Sequence, residues 1–372
     1  MLLRLGTVPN LVVSSPRAAQ LVMRTHDHAF ASRPTSRISD ALLYGSSDIG
    51  FSPYGEHWRQ LRRLVTTHLF SVKKVNSYRL ARQDEVRLVM EKIREAVAGC
   101  KVVDISEMMN TFANDIVCRA VSGKFFRAEG RNKLFRELIV TISSLIDGFN
   151  LEEYFPGLAN VLGSLTSWFA SNKAEKTHKI WDELLETIIS DHEGRGRSSE
   201  QGHVVGGGVE QEETDFVDVL LSVQKEYGIT RDHIKAILMD MFAAGTDTSS
   251  LVLELAMAEL MRSPQLMTKL QAEVRENTPK GQEMVAQDDI ASMTYLRAAA
   301  VSHLRPPPHV HRRPSAVLRH RRHHHLLGPV QRQPCGPGNG QRILEVAVKW
   351  AAIGVEARLP RELASDSDRN RG

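Results

Sequence analysis

The chain has 372 residues, 42% of them hydrophobic and 25% charged, enough to bury a sizeable core and long for one domain. Forty-eight Lys and Arg against 44 Asp and Glu leave a net charge of +4, too small to select a partner by itself. Cys100, Cys118 and Cys335 are far apart and odd in number, which argues against a secreted disulfide framework and for a reducing compartment.

Met1–Leu5 and Leu11–Val13 read as two short strands around a turn, and Ser15-Pro16 opens a helix toward Arg24. Arg4 interrupts the first apolar run, which falls far short of the roughly 20 residues a membrane anchor needs. Neither an anchor nor a signal peptide is expected there. The segment from Phe51 to Arg63 contains Trp58 and Arg62, four residues apart and so on one helical face. An indole N–H beside a guanidinium suits an anionic carboxylate, which Arg binds through two parallel hydrogen bonds; the alternative is a Trp and Arg stacked at a helix surface. Helical periodicity then covers residues 72–98, 104–121, 132–146 and 161–192, the last containing Trp168, Trp181, Leu184 and Leu185. These are the elements of a helical bundle, with Cys100 and Cys118 expected in its core. Residues 193–213, rich in Gly, Ser, Gln and Glu, read as a flexible surface loop.

Apolar spacing predicts one helix over 231–262, roughly 48 Å long, with Thr230 as N-cap and Asp232 in the first turn. Ser263-Pro264 opens the next helix, to about Asn277. Midway stands a small, polar interruption, Ala244-Gly245-Thr246-Asp247-Thr248. Gly245 removes a side chain, and Thr248 can bond back toward the carbonyl of Ala244, so a loosened notch is expected there. Asp247 beside Thr248 pairs a carboxyl with a hydroxyl, suited to passing protons to a bound species. A helix break or second N-cap would use the same residues.

Ala244-Gly245-Thr246-Asp247-Thr248 resembles the oxygen-activation helix of the cytochrome P450 family. Phe51 to Arg63 resembles that family's segment leading into the helix that grips the haem propionates. Phe30-Ala31-Ser32-Arg33-Pro34, Asp115 to Ala120, Asn150 to Pro156 and Asp215 to Leu221 follow in family order, in the style of plant microsomal members. The resemblance implies a mainly α, P450-like helical fold with a small N-terminal β-sheet. It implies haem b, electrons from NADPH through NADPH-cytochrome P450 reductase, and insertion of one oxygen atom from O2 into a small apolar substrate. Asp247 and Thr248 would be catalytic, and Trp58, Arg62, Ala244 and Gly245 would contact the cofactor. The family's place is the cytosolic face of the endoplasmic reticulum membrane; with no anchor visible here, this chain is expected to be soluble or peripheral.

After about Arg297 the pattern departs. Ser302 stands where the family's Glu-x-x-Arg needs Glu, with Arg305 at its other end. Pro306-Pro307-Pro308, paired arginines and His323-His324-His325 follow, with no acid between Asp289 and Glu345. A shifted reading frame or wrongly joined exon would produce such a run. Cys335 is the candidate axial thiolate, but Gly328, Gln331, Gln333 and Pro337 occupy positions where the family has Phe, Gly, Arg and Gly. The expected organisation is a partial P450-like domain over 1–300 and an aberrant, disordered tail over 301–372. Two other readings remain open: a catalytically dead helical remnant, and a His/Arg tail binding metal or nucleic acid. The tail lacks zinc-module spacing and interleaved aromatics, so no nucleic-acid partner is expected.

Overall fold

The computed structural model describes residues 1–34, 36–123, 131–146, 148, 151–201, 214–282 and 284–298. Strands β1 (Leu2–Leu5) and β2 (Val8–Leu11) pair antiparallel, with Leu2 opposite Leu11 and Leu5 opposite Val8. The second strand therefore begins at Val8, not at Leu11 as expected. Gly6 at φ +66° closes a tight turn that brings Val8 into register, and a two-stranded hairpin tolerates Pro9 on its edge.

Helix α1 (Pro16–Gln20) is capped by Ser15, whose Oγ accepts from Ala18 N at 3.2 Å; a π-helical turn (Leu21–Thr25) and α2 (Asp27–Phe30) follow. Then come α3 (Arg37–Leu42), α4 (Glu56–Leu64) with a π-helical turn (Val65–Leu69), α5 (Val72–Ser77) and α6 (Arg79–Ala98). The helix expected to run unbroken over 72–98 is divided at Tyr78, preceded by Asn76 and Ser77, whose side chains compete with the helical backbone. Cys100, expected in the core, is exposed. It takes φ +48° just beyond α6, where Lys101 N bonds to Ala96 O and closes the helix end. Cys118 is buried as expected.

Next are α7 (Ile105–Ser122), α8 (Arg131–Ile146), α9 (Leu151–Tyr154) and α10 (Pro156–Gln201). Helix α10 continues through Gln201, into the segment read from sequence as a loop. Arg231 holds Glu193 at 2.7 Å on the extended turn, and adding residues to an existing helix costs little. The rest of that segment, residues 202–213, lies outside the described residues. Helices α11 (Phe216–Tyr227), α12 (Arg231–Arg262), α13 (Pro264–Glu276) and α14 (Gln287–Ile290) complete a mainly helical chain.

Two compact units divide the described residues: those within Met1–Val75 and Cys118–Ala244, and those within Asn76–Val117 and from Gly245 onward. In the first, Phe135 stacks on Phe242 at 4.2 Å between centroids and meets Trp181 edge-on at 5.0 Å, all three fully buried. Lys235, 5% exposed, is held by Asp182 at 2.6 Å and Glu186 at 2.9 Å. Arg231 adds a 2.8 Å pair to Glu186. In the second, Ile93, Met109, Leu253, Leu260, Leu270, Val274, Met293 and Leu296 form a continuous apolar core. By length and composition α12 could cross a bilayer, yet Ile234, Ile237, Leu238 and Phe242 are fully buried, as befits a core helix.

Candidate functional site

Helix α12 runs as one α-helix across residues 240–250, without the loosened notch expected from sequence. A Gly inside a helix costs only about 1 kcal/mol, and Thr and Ser can return bonds to the preceding turn without ending it. The space Gly245 opens faces protein. A Cβ there would lie 2.7 Å from Val117 Cγ2 on α7. Ala244 and Thr248 are exposed, and so are Leu251 and Leu255, at 45% and 54%. At i, i+4, i+7 and i+11 these four share one stripe, small and polar at one end and apolar at the other. Asp247 is half-buried beside the stripe, and its carbonyl accepts from Ser250 Oγ at 3.0 Å. Thr246 is fully buried, and its Oγ1 has no hydrogen-bond partner among the described residues.

Trp58 and Arg62 come together on α4. The Arg62 guanidinium lies over the Trp58 ring at 5.1 Å, the stacked arrangement allowed by their four-residue spacing. The Trp58 indole N–H donates to Ile49 O at 3.0 Å. Sequence reasoning gave that N–H to a carboxylate ligand; here it is already used, so Arg62, exposed and without an ion pair among the described residues, carries that capacity. Trp58 and Arg62 belong to one unit, Asp247 and Thr248 to the other.

Sequence reasoning missed an acid pair. Asp240 on α12 accepts from Ile49 N at 2.7 Å, and Asp48 Oδ2 accepts from Gly50 N and Phe51 N, both at 3.0 Å. Burial raises the Asp48 carboxyl, and burial together with the Asp48 charge holds Asp240 well above the ordinary carboxylate range. An acid in the apolar run Ile237-Leu238-Met239-Asp240-Met241-Phe242 was the available signal; its partner is far away in sequence. Nearby, the rings of His57 and His233 lie 4.6 Å apart, and burial, with His57 opposite, lowers His233. His192, Asp215 and Asp218 group potential metal-ligating atoms within 4.8 Å. Their geometry is accounted for by a His192–Asp215 hydrogen bond of 2.7 Å and the capping box of α11.

A profile of the cytochrome P450 family matches residues 1–319. The chain belongs to the cytochrome P450 family. It is 51% identical to the maize (Zea mays) indole-2-monooxygenase over 310 residues, covering 83% of this chain and 56% of that protein. Identity to the maize indolin-2-one monooxygenase is 47% over 317 residues, covering 83% and 57%. The chain thus spans little more than half the length of these relatives. Among solved structures, a zebra fish cytochrome P450 with abiraterone aligns at a TM-score of 0.61 and 22% identity, covering 82% of this chain and 65% of that one, which establishes the fold.

Membership implies haem b. Each unit by itself holds a feature that fits such a group: in the second, Thr248, Leu251 and Leu255 expose a largely apolar edge of α12, and in the first, Arg62 offers a guanidinium to a carboxylate. The candidate thiolate Cys335, together with Ser302 and Arg305, lies outside the described residues.

Proposed function

We propose that this chain carries the oxygen-activating helix of a haem-thiolate monooxygenase that inserts one oxygen atom from O2 into a small apolar substrate. The observation that supports it most is the open Ala244/Thr248 edge of α12, with Asp247 beside it in the family's order. The names of the maize relatives suggest a flat, fused-ring nitrogen heterocycle of the indole class as substrate. When bound, haem b supplies O2 activation with electrons from NADPH through NADPH-cytochrome P450 reductase, at the cytosolic face of the endoplasmic reticulum.

The residues divide the remaining work. The Thr248 hydroxyl holds a proton at the exposed edge, where it can be released and replaced. Asp247, one residue earlier and half-buried, resupplies it. Ala244 keeps that edge low, and Gly245 lets α12 approach α7 closely. Arg62 would hold a propionate, oriented by its stack on Trp58. Cys335 is the thiolate candidate.

Purified full-length chain loaded with haem tests this reading. A Soret band with the thiolate-type shift under reduced CO, and a spectral change on adding indole, are expected. Thr248→Ala should spend NADPH without matching product, and unchanged coupling would remove that role. Arg62→Ala should lower haem retention, measured as haem per chain; equal content would remove that assignment. A chain that takes up no haem would be the helical remnant that the loss of Glu at position 302 favours.

A further inference from the structure

We infer that Asp48 and Asp240 share a single proton in the folded chain, and that this acid pair pins the loop over residues 45–51, and through Ile49 the indole of Trp58, to α12. Ile49 is the link. Its N–H donates to Asp240 Oδ2 at 2.7 Å and its carbonyl accepts from Trp58 Nε1 at 3.0 Å, so one peptide group ties the acid to the aromatic ring on which Arg62 stacks.

The need for a proton follows from the donor count. Asp48 Oδ2 has two donors, the N–H groups of Gly50 and Phe51. Asp48 Oδ1 is buried and has no donor among the described residues. The Asp240 carboxyl stands against the same short loop, its Oδ2 taking the N–H of Ile49 while Asp48 takes those of the next two residues. Two ionised carboxylates cannot donate to one another, so a contact between them requires that one be an acid. A buried, unpaired oxygen beside a like charge is the costly alternative. Gly50 seals one side. A Cβ there would stand 3.1 Å from Asp48 Oδ2 and 3.5 Å from Asp240 Oδ1. Among the described residues each acid is the charged group facing the other, and together they accept from the backbone N–H groups of Ile49, Gly50 and Phe51. The pair behaves as one site that loses its shared proton only as pH rises, which removes the bond between the two acids and sets like charges side by side.

Infrared spectroscopy of the full chain reads the proton directly. At pH 7 the wild type should show the carbonyl stretch of a protonated carboxyl that disappears in both Asp48→Asn and Asp240→Asn. Its absence from the wild type, or its persistence in both variants, overturns the inference. Hydrogen exchange at the Ile49 amide reads the pin. Asp240→Asn keeps an acceptor for Ile49 and gives its amide N–H to Asp48, so protection should stay within about twofold of wild type, while Asp240→Ala should exchange at least tenfold faster. Equal protection in Asp240→Ala would refute the link to α12. If Asp240→Ala fails to fold, the infrared comparison still decides. The relevance to haem rests on the function proposed above; haem uptake, measured separately, can fail while the carboxyl band and Ile49 protection remain.

Discussion

The contact between Gly245 and Val117 makes a prediction with an unusual sign. Ala is the better helix former by about 1 kcal/mol, so Gly245→Ala in an open helix would stabilise. Here the added Cβ would stand 2.7 Å from Val117 Cγ2, when carbon atoms at rest keep about 3.5–4.0 Å. Nearly an ångström must be absorbed. Val117 is β-branched and within α7, where one rotamer dominates, so its methyl cannot swing aside freely. Overpacking of this kind costs about 1–3 kcal/mol. The net expectation is destabilisation of up to about 2 kcal/mol for Gly245→Ala once the roughly 1 kcal/mol propensity gain is subtracted. Val117→Ala removes the obstructing methyl, and in that background Gly245→Ala should stabilise by about 1 kcal/mol. Urea unfolding of the four proteins, with unchanged denaturant slope, measures both steps. The same sign in both backgrounds would show that the two helices do not meet as described.

Other predictions concern the core and the ion network. Phe242→Ala removes a ring packed on both Phe135 and Trp181 and should cost about 3–5 kcal/mol, with a shift in Trp181 emission; a loss under 1 kcal/mol would mean the cluster is not closed. Hydrogen bonds from Arg231 and Lys235 lower Glu186 from its ordinary 4.5 to about 2. Its contribution is therefore full above pH 4.5 and lost as pH falls toward 2. Glu186→Gln should flatten that acid limb of the stability curve, and an identical limb in the variant would refute the pairing. The uncoupling expected of Thr248→Ala and the lowered haem retention of Arg62→Ala test the site itself.

What the sequence disclosed was local. The bounds of α12, capped where Thr230 Oγ1 accepts from His233 N at 3.2 Å, were legible because caps and apolar period lie within a few residues of each other. The hairpin was legible except for the strand start at Val8, where turn geometry outweighed composition. Trp58 and Arg62 were readable as one face, but the use of the indole N–H by Ile49 depends on how the loop before α4 closes. Gly245 was read as room for a ligand; that the room is taken by Val117 is tertiary information. The Asp48–Asp240 contact lies beyond any local pattern, because it joins a loop to a helix some 190 positions later.

Asp240, Ala244 and Thr248 stand at i, i+4 and i+8, so they share one face of α12, spaced about 6 Å per step. The acid is the N-terminal member of the same stripe that carries the exposed hydroxyl. That placement separates two duties that a single acidic residue could not perform together. A carboxyl that shares its proton with Asp48 is a poor proton donor, since giving the proton up leaves two like charges side by side. Asp247 lies outside the stripe, half-buried, and is not the acid that takes the Ile49 N–H. Exchanging the two duties should therefore fail in different ways. Asp247→Asn should slow proton resupply while leaving Ile49 protected, and Asp240→Asn should leave resupply intact while erasing the shared-proton band. A variant at either position that altered both readouts equally would mean that α12 holds one coupled acid system and not two.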